Sequence, residues 1–267
     1  MSFFLISITE ETRKMIRIQN VTIQYGKKKV VDNVSMTAND GEVTVVLGKN
    51  GSGKSTIMRA IAGAHPYKGA ICINGAELTS MSRKARASAV SYMPQTLPHS
   101  ELSVRELVMC GRTPYLNPFS FPQNKDIELT NSILSQTGLL SIADSKLSSI
   151  SGGERQRAFF AMLIAQDTNV IILDEPTANL DSDFRQKVYS FIDDARKKNR
   201  AVILVMHHIS EACRLADKIC VLDKGHICFE GSPKEFCASE IPPRVFGVSP
   251  IEYIGSNGET TILFRPK

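Results

Sequence analysis

Val43-Thr44-Val45-Val46-Leu47-Gly48-Lys49-Asn50-Gly51-Ser52-Gly53-Lys54-Ser55-Thr56 is the stretch that decides how this chain folds. Residues 43–47 form a near-continuous apolar run, the kind that becomes a strand buried on both faces of a parallel sheet. The run leads into Gly-x-x-x-x-Gly-Lys-Ser at Gly48, Gly53, Lys54 and Ser55. Glycines at those places let the backbone curl with several N–H groups pointing inward. Those donors, with the N-terminus of a following helix, hold phosphate oxygens. Lys54 is then placed to reach the β- and γ-phosphates, and the Ser55 hydroxyl to bind Mg²⁺. Gly48, Lys49, Asn50, Gly51, Ser52, Gly53, Lys54, Ser55 and Thr56 are thus expected around a nucleotide, with a helix from about Lys54 to Ala62.

Val170-Ile171-Ile172-Leu173-Asp174-Glu175 is the second piece. An apolar strand there carries two carboxylates to its C-terminal end, where ligands bind in parallel sheets. Asp174 is expected to complete the Mg²⁺ shell, directly or through water, and Glu175 to polarise the attacking water. Asp-Glu-Pro by itself would also serve as a strand exit and helix cap. Ser151-Gly152-Gly153-Glu154 is the third. Ser151 with Glu154 reads as a capping box. The two glycines leave the first helical turn bare, so backbone N–H groups and the helix dipole can approach an anion.

A phosphate loop, a Ser-Gly-Gly helix start and an Asp-Glu strand end, in this order, resemble an ABC ATPase subunit over about residues 15–247. The resemblance implies an α/β fold: a P-loop NTPase with a RecA-like core, an antiparallel β subdomain and a helical subdomain. It implies the core and β subdomain at 15–95 and 155–240, the helical subdomain at 96–154, an extension at 1–14 and a hairpin tail at 248–267. It further implies ATP and Mg²⁺ as cofactors. In such a subunit the γ-phosphate is held in trans by a second copy through Ser151, Gly152, Gly153 and Glu154, with Asp181 of Ala178-Asn179-Leu180-Asp181 in the crossing loop. Tyr25 matches the aromatic that stacks on adenine; a packed strand aromatic is the plainer alternative. Gln95, in Tyr92-Met93-Pro94-Gln95, matches the glutamine that senses Mg²⁺ and water, and His207 the switch histidine at the γ-phosphate. Glu175, His207, Lys54 and Gln95 are the implied catalytic set, with Ser55, Gln95 and Asp174 on the metal.

Two departures stand out. The signature has Ile150 and Glu154 where Leu and Gln are commoner; Glu154 keeps the cap but adds negative charge. Met206-His207-His208 stands where Thr-His-Asp is usual, and the register of Glu211-Ala212 and Leu215-Ala216-Asp217 favours His207. On an extended strand end the two histidines would point to opposite sides, which leaves the role of His208 open. His65, His99 and His226 have no such context and are expected on the surface.

Ser103-Val104-Arg105-Glu106, a capping box, and Gly111-Arg112-Thr113-Pro114-Tyr115 resemble the helical insertion of importer ATPases for iron–siderophore, haem and cobalamin uptake, as does Val245-Phe246-Gly247-Val248. The resemblance implies two transmembrane permease subunits, an extracytoplasmic substrate-binding protein and a peripheral place on the cytoplasmic face of the inner membrane. An exporter subunit is a second reading, and a nucleotide-binding regulator without useful hydrolysis a third. An ATPase acting on nucleic acid is a fourth. Relatives with paired cassettes need a second phosphate loop, and chromosome-type ones put heptads into the interval between loop and signature, yet Lys54 and Ser151 stand only 97 positions apart.

The remaining composition sets bounds. The chain has 267 residues, 42% hydrophobic and 22% charged. Both fractions are ordinary for a globular protein and exclude collagenous and disordered classes. A net charge of +5 is not a nucleic-acid footprint. The longest apolar run, Ala158–Ala165, falls far short of the roughly 20 residues a spanning helix needs. The apolar Phe3 to Ile8 stretch lacks the basic start of a secretory signal, and Met15 is a candidate natural start. Cys72, Cys110, Cys213, Cys220, Cys228 and Cys237 form no Cys-x-x-Cys and are expected to be reduced, mostly packed thiols. Ile16–Tyr25, a Gly26–Lys29 turn and Val30–Met36 read as an antiparallel meander. Ile251–Ile254 and Thr260–Phe264 read as a hairpin about Ser256-Asn257-Gly258.

Overall fold

The structure is a computed structural model describing residues 14–116, 121–177, 180–254 and 260–266. Three apolar strands, β3 (Val43–Leu47), β7 (Val170–Asp174) and β8 (Ala201–Val205), are buried at every position. They join β6 (Val90–Met93), β9 (Lys218–Asp223) and β10 (His226–Gly231) in one sheet, order β10-β9-β3-β8-β7-β6. All neighbours in it run parallel except the β9–β10 hairpin. The in-register pairs Val45–Leu204 and Ile171–Val202 keep the pleat aligned across the sheet.

Strand periodicity divides the side chains of this sheet between two cores. Val46, Ile172, Ile203 and Val205 face α1 (Lys54–Ile61) and a second, antiparallel sheet. That sheet has the order β2-β1-β4-β5 and consists of β1 (Lys14–Tyr25), β2 (Lys28–Asn39), β4 (Lys68–Ile73) and β5 (Ala76–Glu77). Val45, Leu47, Ile171, Leu173, Val202 and Leu204 face the opposite way, onto α6 (Ser182–Lys197) and neighbouring helices. Between β5 and β6 lies α2 (Arg83–Ala89), capped by the Ser82 hydroxyl, which accepts from the Ala85 N–H.

A third core is helical. α3 (Val104–Cys110), α4 (Asn124–Gln136) and α5 (Gly152–Gln166) bring Val104, Leu107, Val108, Ile133, Leu134, Ala158 and Phe159 together. The expected capping box opens α3: the Glu106 N–H donates to Ser103 Oγ, and the Ser103 N–H donates to Glu106 Oε2 at 2.7 Å. The Gly111–Tyr115 stretch proves to be a clamp on α5. Arg112 Nη1 donates to the Ala165 carbonyl at 2.9 Å while its Nε pairs with buried Asp126 at 3.1 Å. The Tyr115 hydroxyl donates to the Gln166 carbonyl at 2.8 Å. α5 also sends Phe160 and Leu163 into the second core, so one helix is common to two cores, and the 154/155 position falls inside it.

The chain closes with α7 (Ile209–Leu215), α8 (Pro233–Ala238) and the antiparallel pair β11 (Val248–Ile254) and β12 (Thr260–Pro266). Phe264 of β12 packs on Phe236 of α8, ring centroids 6.2 Å apart. The expected Asn-Gly turn, Ala178, Asn179 and residues 1–13 lie outside the described residues.

Several expectations shift in detail. The meander turn is only Gly26-Lys27; Lys28 and Lys29 already belong to β2, and Lys29 Nζ reaches Asp32 Oδ1 at 3.1 Å. All six cysteines are unbridged, with Cys220 fully buried. Among the described residues no helix is long and apolar enough to cross a membrane.

Candidate nucleotide-binding site

The loop from Gly48 to Gly53 connects the end of β3 to the start of α1 at the C-terminal edge of the parallel sheet. Its glycines are required by this chain's own backbone. A Cβ on Gly48 would come within 2.2 Å of the Leu222 carbonyl oxygen. Gly53 holds φ at 108° as the N-cap of α1, and a Cβ there would lie 2.7 Å from the Val30 carbonyl oxygen. β2 and the β9–β10 turn thus wall the loop, and the Gly225 N–H donates to the Ser52 carbonyl at 3.1 Å.

Lys54, at 6% exposure, folds back under the loop and donates to the Gly48 and Lys49 carbonyls at 2.8 and 3.1 Å. Burial pushes its ammonium pKa down, while the Glu175 and Asp174 carboxylates pull it up. Ser52 Oγ and both carboxylate oxygens of Asp174 are buried without a hydrogen-bond partner. Burial pushes the Asp174 carboxyl up, against the pull of the nearby Ser55 hydroxyl, Lys54 and Arg59; the Glu175 charge adds to the rise. A buried acceptor left unpaired costs about 1–3 kcal/mol, so this is an expensive place for a carboxylate in the ligand-free chain.

β7 ends at Asp174, and Glu175 follows in the left-handed region at φ 55°, its N–H donating to the Val205 carbonyl at 3.0 Å. A β-strand exit bent this way is strained for a residue with a side chain, and such strain collects at functional sites. The bend puts Glu175 Oε1 in hydrogen-bond contact with His207 Nε2. Asn50, Gly51, Gly53, Lys54, Ser55, Thr56, Gln95, Glu175 and His207 line one cavity of about 530 Å³, together with Val30. Gln95 enters from the turn after β6.

The structure corrects two histidine expectations. β8 stops at Val205, so His207 and His208 are not on an extended strand and the alternation argument does not govern them. Only His207 meets Glu175, yet both rings line a smaller adjoining cavity of about 190 Å³ with Arg185 and Glu211. His65 is half-buried against the Tyr25 ring instead of lying free on the surface, whereas His99 and His226 are exposed as expected. Tyr25 itself is 46% exposed.

Ser151, Gly152, Gly153, Glu154 and Asp181 do not line the 530 Å³ cavity. Ser151 caps α5 as expected: the Glu154 N–H donates to Ser151 Oγ, and both the N–H and the hydroxyl of Ser151 donate to Glu154 Oε2, at 2.9 and 2.7 Å. These bonds hold the Glu154 carboxyl below its ordinary value. Ser151 and Gly152 are exposed, and a Cβ on Gly152 would meet nothing within 4 Å. Asp181 caps α6, its Oδ1 accepting from the Phe184 N–H at 2.8 Å. Val30, Arg185 and Glu211 are lining residues that no catalytic motif names, brought here by long-range packing, whereas Pro176 and Thr177 line the smaller cavity because they follow Glu175.

A glycine-lined phosphate loop, a carboxylate pair at the adjacent strand end and a contacting histidine define a nucleotide-hydrolysing cassette with an α/β core. The ABC transporter family model matches residues 31–178. The petrobactin import ATP-binding protein FpuD of Bacillus anthracis is 33% identical over 88% of this chain and 87% of its own. The ferric enterobactin transport ATP-binding protein FepC of Escherichia coli is 32% identical over 89% of both. Among solved structures, a metal-chelate type ABC transporter in an inward-facing conformation superposes with a TM-score of 0.78 at 25% identity, covering 95% of this chain and 98% of that one. The chain belongs to the ABC transporter ATP-binding family and is an ATPase of that kind, binding ATP and hydrolysing it to drive transport.

Proposed function

We propose that this chain is the motor subunit of an importer for iron–siderophore or similar metal chelates. The substrate class rests on the relatives: petrobactin, ferric enterobactin and iron–hydroxamate import proteins all align over most of their length. The carrying observation for the chemistry is the Glu175–His207 contact lining one cavity with Lys54, while the buried carboxylate of Asp174, one residue before Glu175, lies behind that lining.

The residues fit Mg²⁺. The ion prefers a few oxygen ligands and keeps the rest for water and phosphate. Ser55 and Asp174, with Gln95 from the facing turn, supply such oxygens, and two of them are the orphaned carboxylate oxygens of Asp174. When bound, the ion neutralises charge on the β- and γ-phosphates. The chain's own residues do the rest. Loop N–H groups from Gly48 to Thr56 orient the triphosphate. Lys54 gives up its carbonyl partners for phosphate oxygens. Glu175 takes the proton of the attacking water, and His207 holds that carboxylate in place from the γ-phosphate side. Tyr25 stacks on adenine.

In this reading the exposed α5 terminus serves another subunit. Ser151, Gly152, Gly153 and Glu154, with Asp181, contact the γ-phosphate held by a second copy, so that ATP closes a homodimer at two composite sites. Two permease subunits and an extracytoplasmic binding protein complete the complex, and the motor sits on the cytoplasmic face of the cell membrane. In this reading the parallel sheet with its helices is the RecA-like core, the antiparallel sheet packed on it the β subdomain, and the third core a helical subdomain at about 96–154, with 248–267 as a tail; nucleic acid is no partner. The test is isolation of the intact complex from membranes and reconstitution with ferric chelates. ATP-dependent chelate uptake is the expected result; co-purification with nucleic acid, or ATP-driven efflux, overturns the reading.

A further inference from the structure

Tyr25 ends β1, at the tip of the hairpin whose return strand carries Val30 into the nucleotide cavity. Its ring does not stand alone. The His65 imidazole lies against it with centroids 4.7 Å apart and planes tilted by 58°. His65 Nδ1 is 2.7 Å from the Pro66 carbonyl oxygen. A carbonyl only accepts, so Nδ1 carries the proton and donates to it, which fixes the imidazole plane. His65 lies in the turn after α1, four residues past its last residue Ile61; the other end of α1 starts at Lys54 of the phosphate loop. An eight-residue helix spans roughly 12 Å. One short helix and the turn that leaves it therefore link the phosphate donors to the support of the Tyr25 ring.

We propose that His65 is a positioning residue for purine nucleotides: it backs one face of Tyr25 and so presents the other face, ready oriented, to the base. This rests on the reading of Tyr25 as the aromatic under adenine. A tyrosine at a hairpin tip, 46% exposed, would otherwise lose rotamer freedom on each binding event, and pre-ordering removes that cost. Aromatic pairs at this separation also hold each other by a modest specific attraction.

The experiment compares ATP with inorganic tripolyphosphate on the full chain, by titration calorimetry and by steady-state hydrolysis. His65→Ala is expected to raise the Kd and KM for ATP roughly three- to tenfold, with kcat and tripolyphosphate affinity holding. His65→Phe, which keeps a ring, is expected to recover most of the loss. Tyr25→Ala is expected to weaken ATP at least as much, and His65→Ala added to it to cost nothing more. If Tyr25→Ala weakens ATP while His65→Ala does not, the role of His65 is overturned and that of Tyr25 stands. If Tyr25→Ala leaves ATP binding intact, the platform reading itself falls, and the inference with it. Equal loss of ATP and tripolyphosphate in His65→Ala would mean a disturbed α1 and would also overturn it.

Discussion

Two helices of this molecule begin on glycines, and they do so for opposite reasons. At the N-terminus of α1, Gly48 and Gly53 are forced by the chain itself: the Leu222 and Val30 carbonyls leave no room for a Cβ. At the N-terminus of α5, a Cβ on Gly152 would meet nothing, and the helix is already capped by Ser151 and Glu154. The first helix end is packed into a cavity with converging charges; the second is bare, outside that cavity and satisfied. A glycine that the fold does not require points to something outside the fold that approaches closely. On the proposed reading, the first end serves this chain's own nucleotide and the second the nucleotide of another copy.

The largest expected effect tests whether the two ends work together. Glu175→Gln should lower phosphate release by about 10²–10⁴ while ATP binding is kept, and should leave an ATP-bound dimer visible by light scattering. Wild-type turnover would remove Glu175 from the role of base, and a stable monomer would break the pairing of the two ends. Next in size, Lys54→Ala removes a charged donor from the enclosed end. The loss of charge-assisted bonds predicts roughly 10- to 100-fold weaker ATP binding by calorimetry. Gly152→Ala sharpens the contrast most directly. Hydrolysis should fall about tenfold while ATP affinity of the isolated chain and Tm stay within error, because nothing in this chain occupies the space the methyl would take. A comparable drop in Tm would show that Gly152 is structural after all.

The smallest effect concerns pH. Burial raises the Asp174 carboxyl above its unfolded value, so the native state binds this proton more readily than the unfolded one. For this group, stability is highest in acid and is lost as pH climbs from the ordinary Asp range through the raised value. The full cost is present only above that raised value. Asp174→Asn should therefore raise the Tm of the ligand-free chain by about 2–6 °C at pH 7, with little change at acidic pH, and abolish the extra stabilisation given by Mg²⁺ with ATP. A lower Tm at pH 7 would show that the carboxylate is better solvated than its burial indicates.

What could be read in the sequence was what lies close along the chain. The phosphate loop, the Asp174–Glu175 strand end and the Ser103 and Ser151 caps are contiguous, and each specifies its own local geometry. Strands β3 and β7 were legible because burial on both faces leaves an unbroken apolar run. The contacts that escaped are those between distant segments. Nothing in His65 announces Tyr25, which stands 40 positions away, and nothing in Gly111–Tyr115 announces the clamp on Ala165 and Gln166. Strand alternation could not separate His207 from His208 because β8 ends at Val205, before either of them. That α5 belongs to two cores was hidden as well, since one helical stripe cannot say how many partners it meets.

Lys54 carries one more consequence. Its ammonium bonds the Gly48 and Lys49 carbonyls and is almost shut off from solvent. Its water shell is therefore stripped when the chain folds, not when the nucleotide arrives. A triphosphate entering the loop would exchange one set of oxygens for another around a cation that is already dry, so its arrival requires only a change of partners there.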